Sequence, residues 1–426
     1  MPDPLRHLLC LHDFQAAAKK RLPEPIYAYV SGAVEDGQSE RGNRQAFAHY
    51  GFRPKVLVDV SQRSTRATVL GRDYAAPVGV APMGIAALSS YRGDIVLARA
   101  AAAADVPCIM SGSSLIRLEE VMQAAPGTWF QAYLPGDDAQ ISALIDRVAA
   151  AGVTTLVLTV DTPVAANREN NVRAGFSTPL RPSVGLAWQG LTHPRWLFGT
   201  FLRTLWRHGM PHFENNYATR GAPILSANVL RDFSDRGHLN WRHVAAIRRR
   251  WKGQMVIKGI LHPDDARTAK AQGMDGVIVS NHGGRQLDGS VSPLLALPAV
   301  VDAAGGMDVM LDSGVRRGSD VLKAIALGAR CVFVGRPFNY AATVAGQRGV
   351  AHAIDLIVEE VRRNMGMLGV VALRDVVRDT LVRLPPGQDG AGGDGGQGGQ
   401  GGQCGQGGQC GQGGQCGQCG DGAMRT

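Results

Sequence analysis

The feature that most constrains this chain is an alternation. Eight short apolar runs recur along it: Pro77–Met83, Pro107–Ser113, Thr128–Leu134, Thr155–Asp161, Met255–Ile260, Gly276–Ser280, Asp308–Asp312 and Arg330–Gly335. Runs of this length, rich in β-branched residues, read as strands buried on both faces. Segments of helical character lie between them, such as Gly93–Ala104, Ala139–Ala151, Pro263–Gln272 and Ser319–Leu327. Eight strands alternating with helices predict a (β/α)8 TIM barrel. An open doubly wound sheet is the alternative. An N-terminal helical segment precedes the repeats, with Asp13–Arg21 and Ile26–Val30 separated by Pro23 and Pro25.

A barrel places its chemistry at the C-terminal ends of its strands. Polar residues occur at all eight ends here. The first ends in Pro82-Met83-Gly84 and the second in Ser111-Gly112-Ser113. The third carries Gln131 and Tyr133, the fourth Thr159 and Asp161, and the fifth Lys258. The sixth runs into Ser280-Asn281-His282-Gly283-Gly284-Arg285-Gln286-Leu287-Asp288-Gly289. A histidine there can take a proton near neutral pH, and an arginine three residues on can hold a carboxylate bidentately. The last two ends carry Asp312-Ser313-Gly314-Val315-Arg316 and Gly335-Arg336. Glycine backbone, a helix start and arginines make a phosphate cradle where barrels habitually place one. Asp312 would repel phosphate and is assigned a hydroxyl, as in a ribityl or ribose chain.

The totals exclude several classes. The net charge of +9 suits an anionic partner, but no lysine-rich block or zinc-finger spacing points to nucleic acid. Cys10, Cys108 and Cys331 are scattered, which is no disulfide framework. No apolar run is long enough to span a bilayer, and the first ten residues lack a signal peptide's apolar region. A cytoplasmic location is expected. From residue 386 the composition collapses to glycine and glutamine with four cysteines, and residues 386–426 are expected to be a disordered tail after a single domain over 1–385. Cys416 and Cys419 have a C-x-x-C spacing that could take a metal, but the pair is isolated, and no metal site is predicted.

The long motifs resemble those of the FMN-dependent 2-hydroxy-acid dehydrogenases and oxidases. The matching stretches are Ser280–Asp288, Asp312–Gly318, Phe130-Gln131-Ala132-Tyr133 and Leu158-Thr159-Val160-Asp161-Thr162-Pro163. The resemblance runs from about residue 13 to about residue 377 and implies FMN as cofactor. It implies that His282 is the active-site base and Asp161 the carboxylate that orients it. Arg285 and Arg168 are implied as clamps on the substrate carboxylate, with Tyr29 beside them and Tyr133 facing the reacting oxygen. Lys258 is implied beside flavin N1 and O2. Ser111, Gln131, Thr159, Ser280 and the Pro82-Met83-Gly84 backbone are implied flavin contacts. Asp312, Ser313, Gly314, Arg316, Gly335 and Arg336 match the ribityl and phosphate site. Barrels of this kind resemble tetramers, so a homo-oligomer is expected.

Gly84 stands where the family's oxidases typically have alanine, which tilts the expectation towards a dehydrogenase. No haem-binding domain of the yeast type precedes the barrel, so an external acceptor such as quinone is expected. An L-2-hydroxy acid is the expected substrate, L-lactate first, with (S)-mandelate dehydrogenase or an oxygen-using oxidase as alternatives. A catalytically silent barrel is disfavoured by the joint presence of His282, Arg285, Lys258 and Asp161. The stretch 180–216 interrupts the repeats between strands four and five. It holds Trp188, Trp196 and Trp206 with Arg195, Arg203 and Arg207, which suits a basic, aromatic surface lying on anionic lipid. That stretch resembles the corresponding segment of the membrane-associated lactate and mandelate dehydrogenases, which implies the inner face of the cytoplasmic membrane.

Overall fold

A computed structural model of the chain describes residues 5–177, 183–226 and 236–385. Eight parallel strands form its centre: β1 Val78–Val80, β2 Ile109–Ser111, β3 Trp129–Ala132, β4 Thr155–Thr159, β5 Gln254–Ile260, β6 Gly276–Val279, β7 Asp308–Asp312 and β8 Cys331–Val334. Each pairs with its sequence neighbours, and β8 pairs back onto β1. A bridge between Val80 and Cys108 joins β1 to the start of β2. The barrel reading therefore holds, and the open sheet does not.

Most strands are shorter than their apolar runs. Pro77–Met83 pairs only over Val78–Val80, and Thr155–Asp161 only to Thr159. The polar residues after each pairing segment thus stand in loops above the barrel. Tyr133, Asp161 and His282 all lie past the last paired residue of their strands.

The barrel interior changes character over one pleat. Side chains at i and i+2 of a strand share a face. Ile109, Trp129, Val157, Val256, Ile278 and Met310 pack into one buried cluster. Two residues further along each strand stand Ser111, Gln131, Thr159, Lys258, Ser280 and Asp312, all buried. The floor is apolar and the layer above it is polar. A hairpin of Ala67–Val69 and Arg72–Tyr74 covers the floor, with Val69 and Tyr74 in the same cluster. The larger core lies between the strands and their helices, including Phe14, Leu156, Ile257, Val279 and Phe338.

The register of β5 breaks between Lys258 and Ile260. Gly259 has φ +109°, and a Cβ there would lie 2.7 Å from Cβ of Asp161. Only glycine gives both the left-handed backbone and the close approach.

The interruption between β4 and β5 is helical: Val184–Thr192, Pro194–Trp196, a π-turn over Leu197–Leu202, and Arg203–His208. Its aromatics split into two sets. Trp196 is buried, stacks on Phe201 and donates to Leu88 O at 2.7 Å. Trp188, Phe198 and Trp206 face outward, 64%, 65% and 83% exposed. No helix among the described residues is long and apolar enough to cross a membrane. The Gly/Gln/Cys tail, with Cys416 and Cys419, lies outside the described residues.

Candidate active site

The strand ends converge on a cavity of about 840 Å³. Its walls include Pro82, Met83, Gly84, Tyr133, Thr159, Lys258, His282, Arg285, Asp312, Ser313, Gly314, Arg316, Gly335 and Arg336. Tyr29 and Arg168 line it too, from the N-terminal helix Glu24–Ser31 and the loop after β4. Ser111, Gln131 and Ser280 lie in the polar layer beneath. Asp161 stands behind His282 rather than at the surface of the cavity.

His282 has φ +57°, unusual for a residue with a side chain. Gly283 and Gly284 follow at +70° and +71°. A Cβ on Gly284 would lie 2.4 Å from the Glu40 backbone nitrogen, so the loop is pressed against the N-terminal segment. Asn281 and Asn43 exchange amide hydrogen bonds at 2.7 and 2.8 Å. Asp288 accepts from the Ser39 backbone at 2.8 Å. The sequence reading missed these supports, because their partners lie some 240 residues apart. Strain held this way is typical of positions with a chemical task.

The Nδ1 of His282 lies 2.9 Å from Asp161 Oδ1, and its Nε2 lies 3.4 Å from the Tyr133 hydroxyl. Nε2 is thus the nitrogen facing the cavity. Asp161 raises the proton affinity of His282. Burial is the larger influence; together with Lys258 and Arg168 it holds the imidazole below its ordinary pKa despite Asp161. Burial also works against the Asp161 anion, but His282 and Lys258 hold its pKa below the usual value. Tyr133 is pushed up to about 12, mainly by burial and then by Asp161, so it stays a neutral donor.

Lys258 donates to Ser280 Oγ at 2.8 Å and pairs with Asp312 Oδ2 at 2.9 Å. Asp312 also accepts from the Ser313 hydroxyl at 2.9 Å. The Ser111 hydroxyl donates to Gln131 Oε1 at 3.1 Å.

The arginines are partly structural. Arg285 donates to the carbonyls of Gly32 and Tyr29 at 2.7 and 2.8 Å and stacks on the Tyr29 ring. Arg336 donates to Val30, Gly32 and Gly283 carbonyls. Together they tie the end of Glu24–Ser31 to the histidine loop. Arg168 donates to Arg285 O at 3.1 Å and to Gln286 Oε1. Burial, with Arg168 and Arg336 nearby, pushes Arg285 down to about 9. Burial, with Arg336 and Arg44 nearby, pushes Arg316 down to about 10. Clustered cations that depress one another mark places where an anion is favourable. There are two such places, one beside His282 and one beside β7 and β8.

The comparisons with known proteins give the family. The model of the FMN-dependent dehydrogenases matches residues 18–383. The chain belongs to the FMN-dependent dehydrogenase family. It is 40% identical to the L-lactate dehydrogenase of Azorhizobium caulinodans over 381 residues, 88% of this chain and 98% of that one. It is 39% identical to that of Stenotrophomonas maltophilia, with the same coverage. A solved (S)-mandelate dehydrogenase, described as a monotopic membrane protein, superposes with a TM-score of 0.82 at 34% identity, over 89% of this chain and all of that one. A mandelate oxidase superposes with a TM-score of 0.73 at 33% identity, over 88% of this chain and 98% of that one.

Membership of the FMN-dependent dehydrogenases makes FMN the cofactor, and the residues present fit it. Gln131 Nε2 and Thr159 Oγ1 are buried in the polar layer without a hydrogen-bond partner. Orphaned polar atoms are costly unless a bound group satisfies them. The cavity above is long enough to reach from Lys258 to Arg316 and Gly335.

Arg236 also lines the cavity, with its guanidinium 4.7 Å from the Tyr133 ring centroid. Phe176 and Phe213 line it as well. None of the three was expected. They stand in irregular segments where neither spacing nor periodicity distinguishes a site residue from a surface one.

Proposed function

We propose that this FMN-dependent dehydrogenase oxidises a small L-2-hydroxy acid to the 2-oxo acid, L-lactate being the first substrate to test. One observation carries the reading. A neutral imidazole, braced by a buried carboxylate, faces the cavity beside a cluster of arginines. Base and carboxylate-binding cations therefore sit within one small molecule's length of each other. The names of the L-lactate and mandelate relatives support the same class.

In this reading Arg285 and Arg168 hold the substrate carboxylate, with the Tyr29 side chain beside Arg285. Pairing fixes the α-carbon near His282 Nε2 and Tyr133. FMN, when bound, accepts the two electrons of the oxidation. His282 takes the proton at Nε2, and Asp161 stabilises the imidazolium through Nδ1. Lys258 is the fixed cation for the flavin N1 and O2 edge. Ser111, Gln131, Thr159, Ser280 and the backbone of Pro82, Met83 and Gly84 contact the flavin. Asp312, Ser313 and Gly314 take the ribityl chain, and Arg316, Gly335 and Arg336 the phosphate.

We also assign the acceptor to quinone at a membrane surface. The outward Trp188, Phe198 and Trp206, with Arg195, Arg203 and Arg207, suit an anionic lipid surface on the inner face of the cytoplasmic membrane. A homo-oligomer, by resemblance a tetramer, completes the assignment, with one barrel domain over residues 1–385.

The test is anaerobic mixing of the purified flavoprotein with L-lactate while flavin absorbance is followed. Bleaching supports the reading, and slow recovery in air supports a dehydrogenase. Bleaching by L-mandelate alone would change only the substrate. Persistence of colour with every 2-hydroxy acid would sink the class. Binding to anionic but not neutral vesicles, lost in the Trp206→Ser and Phe198→Ser variants, tests the lipid surface.

A further inference from the structure

A second cavity, of about 330 Å³, lies between the barrel and the helices that interrupt it. Ligand sites run to about 300–1,000 Å³, so it has room for one ring and a short tail. Leu88, Leu115, Ile116, Phe201 and Met210 supply apolar walls, and Arg92, Thr204 and His208 stand among them. We propose that this cavity binds the quinone that receives the electrons, with the isoprenoid tail leading out towards the lipid. The inference rests on the quinone reading above and gives that acceptor a place in the molecule.

The two cavities share a wall. Ile85 and Ser113 line the first, and Ala87 and Leu115, two residues further along the same loops, line the second. Ile85 N donates to Ser113 O at 3.0 Å, which joins those loops. Electrons taken from the substrate therefore cross only a thin layer of protein. The second cavity also meets the outward-facing helices. Phe201 and Thr204 line it from the segment that carries Phe198 and Trp206 outward. Trp196, stacked on Phe201, donates to Leu88 O in the shared wall. A quinone dissolved in a bilayer can enter there without passing the substrate. The lining suits such a ligand, a flat apolar ring with two acceptor oxygens. Arg92, held by Glu120, and His208, 3.0 Å from the Tyr91 hydroxyl, bring N–H groups to those oxygens. Oxidation of the hydroxy acid releases two electrons and two protons. The quinone takes up both pairs and leaves as the quinol, with no bond formed to the protein.

The probe is a ubiquinone with one isoprene unit, soluble enough to act without a membrane. Its binding to the oxidised, FMN-loaded enzyme is measured by equilibrium dialysis. Its reduction is followed without oxygen, using the 2-hydroxy acid that bleaches the flavin. Wild type is expected to bind the quinone and release quinol. Thr204→Trp fills the cavity and should raise Kd and KM for the quinone by about ten-fold to a hundred-fold, the cost of forcing a large side chain into a packed space. Flavin bleaching by the hydroxy acid and turnover with ferricyanide should be unchanged in that variant, which also shows that it is folded. Ala218→Phe fills the same cavity from a different segment and should act alike, whereas Thr204→Ser should match wild type. Wild-type quinone binding and turnover in both filled variants overturn the site alone. Failure of wild type to bind or reduce the quinone, while the hydroxy acid still bleaches the flavin, overturns the quinone reading and the site with it.

Discussion

Two buried pairs in this cavity have the same length and opposite consequences. His282 Nδ1 to Asp161 Oδ1 and Lys258 Nζ to Asp312 Oδ2 are both 2.9 Å. Burial works against the charged form of both bases. For Lys258, Asp312 and Asp161 outweigh burial, and its pKa is raised above the ordinary value. For His282, burial leads, Lys258 and Arg168 add to it, and Asp161 does not compensate. A carboxylate partner therefore does not decide a base's charge by itself; the next neighbours do. Lys258 is a fixed cation, and His282 is held towards its neutral form, as the proposed role of base requires.

The largest test of this contrast removes the base. His282→Ala is expected to slow anaerobic flavin reduction by about 10²- to 10⁴-fold, the usual worth of a positioned base, while the flavin stays bound. An equal loss of flavin would show that His282 holds the site together instead. Lys258→Met should act on stability as well as rate. It leaves Asp312 buried without its cation, which costs about 3–5 kcal/mol. Thermal unfolding and flavin content read that loss, and an unchanged melting temperature would contradict a fixed, buried pair.

The sequence carried these groups to different degrees. The polar layer was legible because a strand alternates its faces, so polar residues at Ser111, Gln131, Thr159, Lys258 and Asp312 share an interior with the apolar residues two positions before them. The strands were legible because burial on both faces leaves continuous apolar runs. The hairpin Ala67–Val69 with Arg72–Tyr74 left no such run, since each strand has three residues and one buried side chain. The charge state of His282 was not legible either. It depends on burial and on Lys258 and Arg168, which reach it only through the fold; the local rule that a neighbouring carboxylate raises a histidine's pKa has the right sign for Asp161 but is outweighed. Arg236 was invisible for the same reason: its contact with Tyr133 spans about a hundred residues.

Asp161→Asn gives a smaller effect with a defined sign. Asp161 raises the pKa of His282, so its removal lowers it further. The acidic limb of kcat/KM, already below the ordinary histidine range in wild type, is expected to move to lower pH. The plateau should fall by about ten-fold or more, because the imidazolium formed in the reaction loses its partner. A limb that moves to higher pH would mean that the carboxylate does not act on the histidine charge.

The smallest change has the opposite sign. Arg168 lowers the pKa of His282, so Arg168→Met should lift it and carry the acidic limb upward. The sign follows from linkage: removing a neighbouring cation favours the protonated imidazole, which cannot act as base, so more of the enzyme is inactive at a given low pH. Under the proposed function Arg168 also holds the substrate carboxylate, and KM should rise. The two effects separate in the data, because the lost contact with substrate scales kcat/KM at every pH, whereas the altered histidine moves only the limb. Asp161→Asn and Arg168→Met must therefore shift the limb in opposite directions if the second neighbours set the charge of His282. A limb that stays in place in both variants would return that control to burial alone.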